Sequence, residues 1–298
     1  MSSYLESTAR ERIARLFDAG SFVEFLPPSA RIISPHLAQL DAPVSFDDGV
    51  AVGQALLNGE TVFAAAQEGG FMGGAVGEVH GAKLVGLLRR AIAEHVGAVV
   101  LLMETGGVRL HEANAGLIAV SEVMRAVLDA RAAGIAVITL AGGSNGVFGG
   151  MGIVARCTNA VVMSEEGRLA MSGPEVIETA SGVEEFDSRD RALVWRTTGG
   201  KHRYLLGDCQ ALVADSVVAF REAAIEAIAA CRRQSTALSL QELEEEQAML
   251  GERIDRFGAM TDPLEVWAAL GVAQPDAIAM LEAPEFVAVA KLHRMGGR

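Results

Sequence analysis

Apolar positions along the chain switch repeatedly between two periods. Residues 8–18 carry Ile13, Leu16 and Phe17 at helical spacing after a Ser7-Thr8 start, and Gly20 ends the run. Residues 49–67 alternate instead. The turn Asn58-Gly59-Glu60 divides them into two apolar halves, a strong hairpin signal. Beyond them the pattern predicts a helix over 77–95, a buried strand over 98–104, a long helix over about 112–132 closed by Gly134, and a strand over 135–141. A glycine-rich run, a short helix, a strand near 159–164 and a second β-segment near 168–171 follow. Ser172-Gly173-Pro174 opens the next helix, with Pro at the first helical position. The strands between helices are near-continuous apolar runs, the mark of strands covered on both faces. Two strands and then a helix, repeated through glycine turns, fit a ββα superhelix, and a doubly wound sheet gives a similar string. Residues 210–298 read as mostly helical, and the acidic stretch 240–258 reads as a solvated helix face.

Composition narrows the function more than the fold. Half of the 298 residues are hydrophobic, ample for one large α/β domain, and the net charge is −13. That balance excludes a phosphate backbone as partner, and two Trp and two Tyr are too few for a base-stacking surface. The charged N-terminal segment lacks the apolar core of a secretory signal, and no apolar run is long enough to span a membrane. Cys157, Cys209 and Cys231 are odd in number and widely spaced, as expected of reduced thiols in a cytoplasmic protein. His80, His95, His111 and His202 show no metal-ligand spacing, so no metal is expected.

The candidate chemistry lies in glycine. Three clusters sit where strands end or helices begin: 69–74 (GGFMGG), 105–109 (TGGVR) and 142–152. Glycine there permits close approach to the backbone, and the following helix aims unpaired N–H groups at the same space. Such a place binds phosphate or stabilises an oxyanion; the plain alternative is three tight turns. Within the third cluster, 142–146 fits G-x-S-x-G, the nucleophile elbow around Ser144, but no histidine lies in a recognisable context for it. Residues 150–155 fit a loose G-x-G-x-x-A without a strand directly ahead, which argues against a dinucleotide site.

Several of these segments also resemble a known family. Residues 8–26 (TARERIARLFDAGSFVEFL) are similar to the entry segment of acyl-CoA carboxylase carboxyltransferase subunits, and 71–84 (FMGGAVGEVHGAKL) to their signature after the first hairpin. Residues 105–112 (TGGVRLHE), 148–153 (FGGMGI) and 173–178 (GPEVIE) resemble further landmarks in the right order, covering about 8–230. The four-cysteine zinc ribbon of the bacterial acetyl-CoA carboxylase subunit has no counterpart, and only one carboxyltransferase half is present. With residues 199–204 (GGKHRY) and an acidic helical tail, the chain looks like the β subunits of malonate decarboxylases.

That resemblance implies an α/β crotonase-like ββα superhelix, an N-type carboxyltransferase domain over 1–235 with a helical C-terminal extension over 236–298. It implies loss of CO2 from a malonyl thioester held on an acyl carrier protein by a phosphoribosyl-dephospho-coenzyme A arm, with no cofactor bound directly. Gly106, Gly107, Gly149 and Gly150 would form the oxyanion hole. Gly73, Gly74 and Arg109 would contact the substrate, although Arg109 could equally brace its turn. The expected partners are a homologous γ subunit and the acyl carrier protein. Transfer of the carboxyl group to a biotin carrier, or a non-catalytic scaffold for the γ subunit, are the alternative functions.

Overall fold

The structure, a computed structural model, describes residues 2–296. Thr8 caps the first helix, α1 (Ala9–Leu16), in a reciprocal box with Glu11, and Ala9, Arg12, Ile13 and Leu16 form its buried face. A short β1 (Val23–Glu24) and α2 (Pro35–Gln39) lead to the hairpin of β2 (Val50–Leu57) and β3 (Glu60–Gln67). Asn58 and Gly59 both adopt positive φ, 55° and 79°, the turn whose twist matches two antiparallel strands. Then come α3 (Glu78–Ala93), β4 (Ala98–Met103), α4 (Ala113–Ala132), β5 (Ala136–Ala141), α5 (Gly150–Cys157) and β6 (Ala160–Ser164). Helices α6 (Pro174–Ser181), α7 (Arg191–Thr198) and α8 (Gly200–Leu205) precede β7 (Ala211–Val213), a three-residue strand inside the stretch expected to be helical. Helices α9 (Val217–Arg232), α10 (Leu240–Phe257), α11 (Pro263–Ala269), α12 (Pro275–Ala279) and α13 (Ala283–Ala290) complete the described chain.

Sheet order separates the two architectures that the pattern alone left open. The seven strands lie side by side in chain order, β1 to β7, antiparallel through β3 and parallel thereafter. A doubly wound sheet reverses direction at a switch point. Here every crossover advances the same way, so the chain spirals. A second, short layer of β-bridges follows the main strands: Val76 with Val108, Thr105 with Val147, and Val147 with Leu169, all parallel. These bridges are the second β of each ββα turn. The segment expected over 168–171 contributes only bridge residues to this layer.

Side-chain alternation along β4 shows how the sheet is covered on both faces. Val99, Leu101 and Met103 join one apolar cluster with residues of α3, α4 and α5, while Ala98, Val100 and Leu102 join another with α1 and α9. The C-terminal helices are not a separate core. Phe257, Trp267 and Phe286 belong to the same cluster as Leu101 and Val127, and Trp267 Nε1 donates to His202 Nδ1 at 3.0 Å. No helix among the described residues is long and apolar enough to cross a membrane.

Candidate active site at the glycine edge

Because β3 to β6 run parallel, their C-terminal ends share one edge, and the three glycine clusters meet there. The turn after β4 and the turn before α5 touch backbone to backbone. A Cβ on Gly107 would lie 3.2 Å from Gly149 Cα, and one on Gly149 would lie 3.0 Å from Gly107 Cα. Both residues sit at positive φ, 113° and 61°. Two side chains at this contact would force the turns apart, so glycine is required by the approach itself.

Gly106, Gly107 and Gly149, three of the four expected oxyanion residues, already spend their N–H groups inside the protein. Gly106 donates to the Gly73 carbonyl at 2.8 Å, Gly107 to Thr105 Oγ1 at 3.0 Å and Gly149 to the Met171 carbonyl at 2.9 Å. Among the described residues, the N–H groups of Val108, Gly150 and Met151 have no acceptor. Gly150 is the first residue of α5, with Gly149 as its N-cap, so its N–H is one of the orphan donors of a helix start. Val108 N lies 3.9 Å from the position of a Cβ on Gly149, which puts this second open donor beside the same turn. Gly73 fastens the first turn through its carbonyl, and Gly74 packs against the Glu104 and Thr105 backbone with no room for a side chain.

Arg109 does not reach this surface. Its guanidinium is buried, with Nη1 bound to Asp48 at 2.9 Å and to Glu112 at 2.8 Å. Both carboxylates are fully buried too, so the arginine braces the turn from behind and is not available to a substrate. Burial pushes the Asp48 carboxyl up, and Arg109 opposes that shift. His80, wedged between Asp48 and Gln67, is pushed down to about 3, mainly by burial and then by Arg109 and Lys83. It is a neutral core residue.

A second buried group, not singled out in the sequence, binds the clusters together. Glu104 directly follows β4 and is ion-paired with the equally buried Arg12 of α1. The same carboxylate accepts from Ser144 Oγ at 3.0 Å, from Asn145 N at 3.1 Å and from Asn145 Nδ2 at 3.3 Å. Asn145 Nδ2 also donates to the Gly69 carbonyl at 2.9 Å, so one acid links all three glycine segments. Two sequence signals mark this pair: an arginine on the apolar face of α1, and a carboxylate closing an all-apolar strand.

The elbow reading fails on the same geometry. Ser144 Oγ donates to a carboxylate held by an arginine, while His80 and His202 are engaged elsewhere in the core and His293 bonds the Leu270 carbonyl. No group of three or more metal-ligating side chains occurs among the described residues. What the edge offers is open N–H donors, those of Val108 and Gly150 among them, in a rigid backbone frame, suited to an oxygen that gains negative charge. Around it stand exposed apolar side chains: Leu110, Leu117 and Ile118 after the first turn, and Ile153, Met171 and Val176 after the second.

Residues 6–213 match the carboxyl transferase domain family. The chain belongs to that family. It is 41% identical to the malonyl-S-ACP:biotin-protein carboxyltransferase MADC of Malonomonas rubra, over 97% of this chain and 96% of that one. It is 32% identical to the acetyl-coenzyme A carboxylase carboxyl transferase subunit beta of Fusobacterium nucleatum, over 59% of each. Among solved structures, a Pseudomonas malonate decarboxylase hetero-tetramer in complex with malonate superposes with a TM-score of 0.74 at 40% identity, covering 82% of this chain and 91% of that one. Transcarboxylase 12S shares the carboxyl transferase fold at 23% identity and a TM-score of 0.63, covering 74% of this chain and 41% of its own. These neighbours bear out the crotonase-like α/β fold, and the close ones are subunits of malonate decarboxylases and malonyl carboxyltransferases.

Proposed function

We propose that this chain is the β-type subunit of a malonate decarboxylase, acting on a malonyl thioester presented by an acyl carrier protein. The observation that carries the reading is the pair of open donors, Val108 N–H and Gly150 N–H, at two turns in backbone contact. In the reaction the bond between C2 and the carboxylate carbon breaks and CO2 leaves. Its electron pair delocalises onto the thioester oxygen, and a proton then adds at C2. Donors aimed at that oxygen bind the enolate more tightly than the substrate, which is what lowers the barrier. The thioester arm, a phosphoribosyl-dephospho-coenzyme A group on the carrier, would bring the substrate to the edge.

The exposed apolar rim supports a hetero-oligomer in which a γ-type subunit covers the glycine edge and completes the cavity. The Pseudomonas neighbours are a hetero-tetramer and a hetero-dimer. The relationship to the Malonomonas protein favours one second reading, in which the carboxyl group passes to a biotin carrier. Both routes pass through the same enolate, so the donors serve either.

The test is a malonyl-thioester assay on the complex co-purified with its neighbouring subunits, with and without avidin. Release of CO2 unaffected by avidin is expected; loss of turnover on adding avidin would establish the biotin route. A complex that keeps its rate when Gly150 loses its N–H would instead be consistent with a scaffold role.

A further inference from the structure

Helix α10 is an anomaly in an otherwise well-buried protein. It runs for 18 residues, about 27 Å, yet Phe257 at its last turn is its single buried residue. A Ser239–Glu242 capping box starts it, and two ion pairs hold it to the body: Arg156–Glu246 at 3.1 Å and Arg253–Asp208 at 2.9 Å. A cleft of about 640 Å³ opens beneath it, walled by Arg131, Asn159, Cys231 and Met249. Arg131 lies in the last turn of α4 and Asn159 immediately precedes β6, so this cleft lies at the N-terminal edge of the sheet, opposite the glycine turns.

The acidic stretch is not polar all round. Leu240, Leu243, Gln247, Leu250, Ile254 and Phe257 recur at spacings of 3, 4, 3, 4 and 3, the a/d seam of a heptad pattern. Four of them point to solvent, with Leu240 71%, Leu243 47%, Leu250 41% and Ile254 72% exposed. Isolated helices of this length are marginal unless an apolar face is packed. The seam is therefore built to be covered.

Charge identifies what covers it. The flank turned away from the body, positions 244, 251 and 255, carries Glu244 and Asp255 and no lysine or arginine. Phe257 is buried against the body, so an antiparallel second copy would match Leu240 to Leu250 and Leu243 to Gln247, and would set Glu244 against its own counterpart at the centre. Like charges there oppose self-association. We propose that α10 docks an amphipathic helix of a different chain, with an apolar heptad stripe flanked by lysine or arginine. The contact forms a two-helix seam remote from the glycine edge and independent of the reaction assigned to it.

The experiment titrates the full-length protein with two three-heptad synthetic peptides, Leu at a and d, one with Lys and one with Glu at e and g. Binding is read by calorimetry for the wild type, for Leu243→Gln/Ile254→Gln and for Glu244→Lys/Asp255→Lys, with circular dichroism confirming helicity. The Lys peptide should bind the wild type, weaken by more than about tenfold in the Gln variant, and lose to the Glu peptide in the charge-reversed variant. Equal Lys-peptide affinity for the wild type and the Gln variant would overturn the proposal, as would a preference that ignores charge reversal. A self-dimer in light scattering that the Gln variant dissolves would also overturn it, showing a second copy on the seam.

Discussion

The glycine edge and helix α10 both leave groups without partners, but they are supported in opposite ways. Behind the edge lie buried charges: Glu104 with Arg12, and Arg109 between Asp48 and Glu112. Beneath α10 lie a cleft, two partly exposed ion pairs and one buried aromatic. Backbone donors have no side chain of their own to steer them, so their placement depends on the rigidity of what stands behind. A docking helix needs only to present its stripe, and its rigidity can come from the partner. The lesson is that stiffness, more than exposure, separates a site for chemistry from a site for assembly.

The sharpest way to break this contrast is to remove one buried charge. Glu104→Gln leaves the Arg12 guanidinium buried without its counter-charge, and loss of a partner in such a pair costs about 3–5 kcal/mol. Arg109→Met strands two carboxylates and should cost a similar amount. Urea unfolding measures both, and a change below about 1 kcal/mol would show that the edge does not rest on these groups.

Next in size is acid. His80 and His202 are both pushed down to about 3 by burial, from an ordinary 6.5. The unfolded chain therefore binds more protons than the folded one between those values. Stability should be full above pH 6.5 and fall progressively as pH drops toward 3. Thermal unfolding across that range reads it; a flat midpoint between pH 7 and pH 5 would contradict neutral burial of both rings.

The smallest effect belongs to α10. Glu246→Ala removes one partly exposed ion pair, and about 1 kcal/mol or less is expected, with the decarboxylation rate unchanged. A drop in rate would tie this helix to the glycine edge.

Much of the frame was legible in the sequence because it depends on local spacing. The Asn58-Gly59 hairpin, the apolar runs of β4 and β5, and the glycines at strand ends all follow from rules that act within a few residues. The direction of the spiral was not, because the same string of elements serves a doubly wound sheet, and only strand order separates them. Glu104 and Arg12 stand 92 positions apart, so no window joins them. The sequence also marks which turns are rich in glycine but not which N–H groups remain open. The N–H groups of Gly106, Gly107 and Gly149 are spent on Gly73, Thr105 and Met171, which leaves Val108 and Gly150 as the proposed donor pair. Arg109 sits in a motif that invites a ligand, yet its partners Asp48 and Glu112 claim it.

The most direct test of the account removes the Gly150 N–H against a matched control that keeps it. Gly150 is the first residue of α5, where proline is tolerated, and a Cβ there would meet only Val120 Cγ1, at 2.7 Å, before Val120 Cβ at 3.8 Å. In a Val120→Ala background that makes room, Gly150→Pro deletes the donor, while Gly150→Ala in the same background keeps it. The measurement is kcat and KM for malonyl-thioester decarboxylation by the assembled complex. The account predicts that the proline variant assembles normally and loses about 10²–10³ in kcat with KM little changed, while the alanine variant keeps most of its rate. Equal rates for the two variants would contradict it, since the Gly150 N–H would then carry no part of the developing charge.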